Sequence, residues 1–346
     1  MTSPTKAPQP HGPGRPRRLG LYGPFAALAI ALIGWGAGWL WTKGRIERDL
    51  DATAARMKAA GGAFAWSARR IRGYPFRFDI DFSGLTWRSP DGWGVSTPEL
   101  RSETSVFAFG HWIAYAPEGV SLIRPKGGAV RIAAQILRAS VSDAAQRPPT
   151  FSLEGQNLSF TPATGAASYP LASAGQLHLH TRAGPNDQGA FLIELDEARA
   201  TPGSKLAAVA AGAPVSLAAE IIYDHASAMS GLSWTPAMKS WAIAGGKLRV
   251  RRFHFQAGSF AIHGHGAGLT LDPNGRLAGE LGVVATWGEA ALSELASSGV
   301  MRSDAARSAV RALQTGQTGG GQAVLTFRVG RMLLGPVALG RSPKVY

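Results

Sequence analysis

From residue 72 onward the chain alternates apolar and polar positions. In Arg72-Gly73-Tyr74-Pro75-Phe76-Arg77-Phe78-Asp79-Ile80-Asp81-Phe82, the apolar residues Phe76, Phe78, Ile80 and Phe82 are separated by Arg77, Asp79 and Asp81. That is the period of two of a strand with one apolar and one wet face. Gly73 and Pro75 mark the turn that leads into it. The same pattern predicts strands over 94–100, 103–109, 116–123, 129–140 and 150–160. It continues over 176–182 and 190–200, over 215–224 as a strand or short helix, and then over 246–256, 259–271, 276–286 and 322–329. Gly184-Pro185-Asn186-Asp187 and Asp272-Pro273-Asn274-Gly275 are hairpin turns. A one-residue slip within Leu248, Val250, Phe253 and Phe255 predicts a bulge. Helical spacing is expected near the end, over 287–296 and over 304–313 with Ser303 as a cap, followed by Gly319-Gly320-Gly321 and an apolar stretch over 331–339.

The other pattern is an uninterrupted apolar run. Leu21 to Trp41 is 21 residues without a charge. At about 1.5 Å per residue it covers roughly 31 Å, the hydrocarbon thickness of a bilayer. Trp35, Trp39 and Trp41 near its end suit a membrane interface. The run exceeds the core of a signal peptide, although Gly36-Ala37-Gly38 imitates a cleavage site. Gly34 and Gly38 form a G-x-x-x-G pair, a pattern of helix dimers and also of membrane helices in general. Beyond it, Ile46, Leu50, Ala54 and Met57 predict a separate juxtamembrane helix from Thr42 to Ala60, stopped by Gly61-Gly62.

The expected organisation is a basic, disordered tail (1–20), a transmembrane helix (21–41), a juxtamembrane helix and linker (42–72), a β-rich body (73–340) and a short tail (341–346). Flanking cations barely orient the span, with Lys6, Arg15, Arg17 and Arg18 before it and Lys43, Arg45, Arg48, Arg56 and Lys58 after it. The large domain on its C-terminal side decides: the N-terminus is expected in the cytoplasm and the body outside it.

Net charge is +14, of which residues 1–20 carry +4 and residues 42–72 carry +5. The basicity therefore clusters on both sides of the apolar run, which makes lipid headgroups the expected partner. Nucleic acid is not expected, because the body has no compact basic stripe interleaved with aromatics. The absence of cysteine excludes disulfides and Cys-ligated metal. Gly at 44 of 346 residues favours a turn-rich β protein.

Three stretches occur in a defined order. Gly73-Tyr74-Pro75-Phe76-Arg77 follows the span and its helix. Trp241-Ala-Ile-Ala-Gly245-Gly246-Lys-Leu-Arg-Val250 leads into strands and Leu271-Asp272-Pro273-Asn274-Gly275. Gly335-Pro336-Val337-Ala338-Leu339 precedes Pro343. In this the chain resembles the bacterial domain-of-unknown-function family 2125, typical of alphaproteobacteria and similar in style to AsmA-like envelope proteins, over roughly Trp41 to Pro343. The resemblance implies a mainly β fold with an inner-membrane anchor, a curved antiparallel periplasmic sheet, grooved or two-layered, and one or two short helices near the C-terminus. It brings no catalytic residues. The AsmA-like analogy implies a greasy groove for lipid chains. Fifteen strands at about 4.8 Å give a groove of roughly 70 Å, or half that if the sheet folds in two.

The search for chemistry returns little. His178-Leu179-His180 and His263-Gly264-His265 each put two imidazoles on one strand face, but zinc needs a third protein ligand and a second shell. Gly264 and Gly266 lie in a strand pattern, so close packing or a bulge is expected rather than a phosphate loop. Asp79 and Asp81 are expected on a solvated face beside Arg77. No Gly-x-Ser-x-Gly occurs. Trp66, Trp87, Trp93, Trp112, Trp234, Trp241 and Trp287 are expected in the core, or along a groove that takes acyl chains. The expectation is a binding protein for lipid, acting in its transfer or in envelope maintenance, with no cofactor, no metal and no catalytic residue. The alternatives are a scaffolding subunit that holds other envelope proteins and, third, an envelope hydrolase.

Overall fold

The computed structural model describes residues 19–286, 297, 307, 322–334 and 337–346. The helices expected over 287–296 and 304–313, the tail over 1–18 and Gly335-Pro336 lie outside them. The chain divides at Arg48/Asp49 into two compact units.

In the first unit the apolar run is helical, and the helix does not stop where the span was expected to end. α1 is one continuous helix, Leu19–Ala59. Nothing in Trp41-Thr42-Lys43-Gly44 breaks it, because Thr42 turns its hydroxyl back to the Gly38 carbonyl at 2.9 Å and Lys43 pairs with Glu47 one turn on. The expected separate juxtamembrane helix is thus a continuation of the first. From Tyr22 on, α1 is long and apolar enough to cross a membrane, and Phe25, Ile30, Ile33 and Leu40 are all exposed. Trp41 is exposed with the Arg45 guanidinium over its ring, Trp35 is exposed and Trp39 is buried. Leu21 has a helical backbone. A side chain at Gly34 or Gly38 would meet nothing within 4 Å.

The second unit is one antiparallel sheet. Its strands are β1 (Ala63–Ala65), β2 (Ala68–Arg72), β3 (Arg77–Arg88), β4 (Gly94–Ser105), β5 (Trp112–Tyr115), β6 (Val120–Arg124), β7 (Gly128–Ala133), β8 (Ile136–Ser142) and β9 (Thr150–Pro162). They continue as β10 (Leu171–Ala183), β11 (Gly189–Ala200), β12 (Val215–Tyr223), β13 (Leu248–Ala257), β14 (Phe260–Leu271), β15 (Leu277–Thr286), β16 (Gln322–Arg328), β17 (Arg331–Leu334) and β18 (Val337–Arg341). Two short helices interrupt the order, α2 (Lys205–Ala210) after β11 and α3 (Trp234–Ile243) after β12.

The registers reduce this to a simple meander. β1 and β2 both pair with β3 in one line. β5 and β6 share β4 in the same way, and β7 and β8 share β9. The eighteen strands therefore occupy fifteen positions, each beside its predecessor. The edge strand β2 carries Arg69, Arg70 and Arg72, the kind of charge that blocks pairing with another sheet.

Several expectations change in detail. The strands expected over 94–100 and 103–109 are one strand, β4, and 106–108 form a short 3-10 turn. The linker expected before residue 73 holds β1 and β2. Residues 341–346 are no loose tail. Arg341 ends β18, Ser342 is buried and donates to the Leu277 carbonyl at 2.6 Å, and Val345 N donates to the Gly275 carbonyl at 2.7 Å. The expected bulge is present: Glu220 faces Arg252 and Ile221 faces Val250, so Arg251 is the extra residue.

The sheet folds over on itself. Call end A the end of the strands that holds the β3–β4 turn, and end B the opposite one. α3 and the C-terminal residues lie at end B of β12–β18. Yet Asp91, in the β3–β4 turn at end A, accepts from the Trp234 backbone N–H at 3.1 Å, and the Trp234 indole donates to the Val345 carbonyl at 2.7 Å. Accumulated twist explains the meeting. At about 20–25° per strand, the eight steps from β3 to β13 rotate the strand direction by roughly 160–200°. End A of one half thus comes beside end B of the other.

Candidate functional site

Because side chains alternate, every strand of the meander sends one row to the same face of the sheet. On β3 this row is Phe78, Ile80 and Phe82, all buried. On β9 it is Phe151, Leu153, Leu158 and Phe160, on β11 Ile193 and Leu195, and on β12 Val215 and Leu217. A flat sheet would expose these rows, whereas the twisted one encloses a cavity of about 620 Å³ between β4 and β12. Leu122, Ile132, Leu153, Leu177, Ile193 and Leu217 are typical of its wall, and among the described residues no charged side chain lines it. The volume lies within the usual range of small-molecule sites, ~300–1,000 Å³.

The two ends of the cavity differ. At end A, Leu158, Phe160, Ala174, Leu195, Ala198 and Val215 are buried, and Val209 and Ala210 of α2 pack on them. Ser204 caps α2 by accepting from Ala207 N–H at 3.1 Å, which holds the short helix in place as a plug. Tyr169 lies against Phe160, with ring centroids 5.3 Å apart, and Arg124 sits over the Tyr169 ring while donating to the carbonyls of Ala167 and Ser168. Burial pushes the Tyr169 phenol pKa up. Toward end B the same rows become partly exposed, at Phe151, Leu153, Leu179, Phe191 and Ile193. The cavity is thus backed by α2 at end A of β11–β13, and its rows stay partly exposed toward end B.

The Gly73-Tyr74-Pro75-Phe76-Arg77 turn lies at end B, beside β3 and β4. The Tyr74–Pro75 peptide is cis, and Gly73 has φ +103°. A Cβ at Gly73 would stand 2.7 Å from the carbonyl oxygen of Arg77, the first residue of β3; only glycine fits. Arg77 N donates to the Gly73 carbonyl at 2.8 Å, and Val106 N donates to the Phe76 carbonyl at 2.9 Å. The motif is therefore a rigid turn that carries Tyr74 and Phe76 on its exposed side.

The polar face is a field of charge pairs. Arg138–Glu154 and Arg252–Glu194 close to 2.6 Å, Arg77 reaches Glu103 at 3.6 Å, and Arg72 pairs with Asp81. Exposed pairs of this kind contribute about 0–1 kcal/mol each. Asp79 and Asp81 lie here as expected, with Asp79 Oδ2 3.6 Å from Arg77; Asp79 Oδ1 is buried without a hydrogen-bond partner.

The histidines lie on this polar face too. His180 Nδ1 meets Ser152 Oγ at 2.8 Å, and the His178 and His180 rings stack at 6.2 Å. His263 meets His254, Nδ1 to Nδ1, at 2.9 Å. Partial desolvation, then the neighbouring His263, lowers the His254 pKa. The H-x-H spacing gave no hint of His254. A hairpin centred near Gly258 puts 254 opposite 263, so the turn was the available signal. Among the described residues no group of three His, Asp or Glu is placed to hold a metal. Gly264 and Gly266 pack tightly, as expected: a Cβ on Gly264 would be 2.9 Å from Val283 Cγ1 and one on Gly266 3.1 Å from the Glu280 carbonyl oxygen.

The tryptophans divide. Trp241 is fully buried and donates to the Asp224 carbonyl at 2.6 Å, Trp66 packs edge-on to Phe82, and Trp112 is half-buried. Trp87, Trp93 and Trp234 are exposed, against the expectation of a core, and Trp287 lies outside the described residues.

Taken together, the described residues form a helix long and apolar enough to cross a membrane and a β protein built as a twisted antiparallel meander with an apolar cavity. The chain belongs to the family described as an uncharacterized protein conserved in bacteria (DUF2125), whose model matches residues 39–343. The match begins near the end of the apolar run and covers the whole sheet. No curated protein and no solved structure matches the chain.

Proposed function

We propose that this protein is a single-pass, inner-membrane-anchored binder of lipid acyl chains, with its N-terminus in the cytoplasm and its β body in the periplasm. The observation that carries the reading is the cavity, whose wall among the described residues is uncharged, backed by α2 at end A and partly exposed toward end B. Energetics supports reversible binding. Burying one methylene from water is worth about 0.8 kcal/mol. A chain that leaves a bilayer gives up surroundings as apolar as leucine, so exchange between bilayer and cavity is near neutral. A site of this kind takes up and releases lipid without a chemical step. In this reading no residue has a catalytic role and no cofactor takes part. The fifteen positions span roughly 70 Å if laid flat, at about 4.8 Å each; folded over, the sheet is much shorter, which favours a carrier or a subunit over a bridge between two membranes.

Native mass spectrometry of the full chain released from detergent tests this. The expected result is a bound species of phospholipid mass that survives delipidating washes which strip loosely held detergent. A chain that is always free of lipid, with a cavity that stays empty when phospholipid is added back, removes the reading and leaves the scaffolding alternative.

A further inference from the structure

The open end of the cavity carries a second apolar feature that lipid storage alone does not require. At end B, the β2–β3 turn and the β4–β5 loop present a group of aromatics to solvent: Phe107 is 76% exposed, Phe76 57%, Tyr74 54% and Phe109 43%. Aromatic side chains of this size are the largest burial gains a chain has, and leaving four of them together in water is costly unless something covers them.

The group is built, not loose. Phe76 stacks on Phe107 with centroids 6.3 Å apart. Thr104 Oγ1 donates toward the carbonyls of Ala108 at 3.1 Å and His111 at 2.6 Å, and Ser105 Oγ accepts from Phe107 N–H at 3.2 Å. The group is also continuous with the cavity face. Phe109 packs edge-on against buried Phe78 at 5.8 Å and against Trp112 at 5.9 Å. Trp112 shares its face of the strand with Ala114, a wall residue. Two aromatic clusters, Phe76–Phe107 and Phe109 with Phe78 and Trp112, thus lie between solvent and the end-B half of the cavity face.

Charge narrows the occupant. Residues 72–78 and 105–112 contain no acid. Arg72 and Arg77 flank the aromatics with side chains 59% and 60% exposed, while their partners Asp81, Asp79 and Glu103 are set back at 24%, 27% and 34%. Guanidinium groups are therefore the outermost charges around an aromatic patch, the composition that suits the headgroup layer of an anionic bilayer. The same chain carries a helix able to cross a membrane, which tethers the patch near a lipid surface at high effective concentration.

We propose that Tyr74, Phe76, Phe107 and Phe109 form a lip that inserts into the surface of an anionic bilayer and passes acyl chains to the cavity behind it. The hand-over to the cavity rests on the lipid-binding reading; the insertion does not.

The chain has no cysteine, so a single introduced thiol labels one site. The full chain with Phe107→Cys, and separately with exposed Lys126→Cys at end A of the same half of the sheet, is labelled with the environment-sensitive dye NBD. Each is reconstituted into vesicles of phosphatidylcholine and phosphatidylglycerol, with and without acyl-brominated lipid. The expected result is blue-shifted emission at 107 that brominated lipid quenches several-fold, and water-like, unquenched emission at 126. Water-like emission at 107 overturns the proposal. So does a blue shift at 107 that brominated lipid leaves unquenched, since a second copy or another protein then covers the lip. Lipid co-purified with the same labelled chain is measured in parallel. Quenching without bound lipid keeps the lip and removes the cavity reading, whereas bound lipid without quenching does the reverse. In Phe76→Ser/Phe107→Ser, whose replaced side chains are exposed, lipid uptake from vesicles is expected to slow several-fold while the lipid held at equilibrium stays the same. Unchanged uptake also counts against the lip.

Discussion

Individual glycines set the geometry on which the rest depends. At Gly73 the backbone is left-handed and a Cβ would stand 2.7 Å from a carbonyl oxygen, so Gly73→Ala meets both strain and a clash. The expected cost is about 1–3 kcal/mol, read as a lower thermal midpoint of the full chain in detergent; an unchanged midpoint would show that the turn is not fixed as described. Gly246 acts differently. A Cβ there would fall 2.1 Å from the Trp241 indole, so the Trp241…Gly246 stretch is a ring laid on bare backbone. Gly189 receives the Tyr223 ring in the same way, and burial pushes that phenol up to about 12. Gly73-Tyr74-Pro75-Phe76-Arg77 and Trp241…Gly246, two of the stretches that carried the family resemblance, are packing devices in the structure.

A single strand can divide two tasks along its length. β9 places Phe160 in the plugged half, 8% exposed against Tyr169, and Phe151 in the open half. Phe160→Ala is expected to destabilise the protein by about 3–5 kcal/mol, the usual cost of emptying a core aromatic site. Phe151→Ala is expected to cost under half of that in chemical denaturation and to lower the bound lipid instead. Equal costs at the two positions would mean that the cavity is an ordinary core. The strands were legible because alternation survives along most of each strand from β3 to β16. Their breaks were not: the gap at Ala116–Gly119 keeps the even-numbered row inward, from Ala114 to Val120 and Leu122, and the one at Ala134–Gln135 moves it by one, from Ile132 to Leu137, as a bulge within one strand would. α2 escaped notice because six residues are under two helical turns, too few for a period to register. The residues after Arg341 read as a tail because their partners, Arg276 and Leu277, are more than sixty positions away.

At the scale of the whole molecule, the sheet works through its twist. Alternation in the sequence shows that one face is apolar, but whether that face closes or stays open depends on small angles summed over many strands, which no local pattern encodes. The Asp91–Trp234–Val345 contact records the sum. The central claim is that the inward rows between β4 and β12 hold acyl chains in the cell. Site-specific photocrosslinking along β9 tests it most directly, with a photoreactive phenylalanine analogue placed at Phe151, Ser152, Leu153 and Glu154 of the full chain in intact cells. Phospholipid crosslinks at 151 and 153 and none at 152 and 154 are the predicted outcome. Crosslinks at none of the four, or equally at all of them, would contradict it.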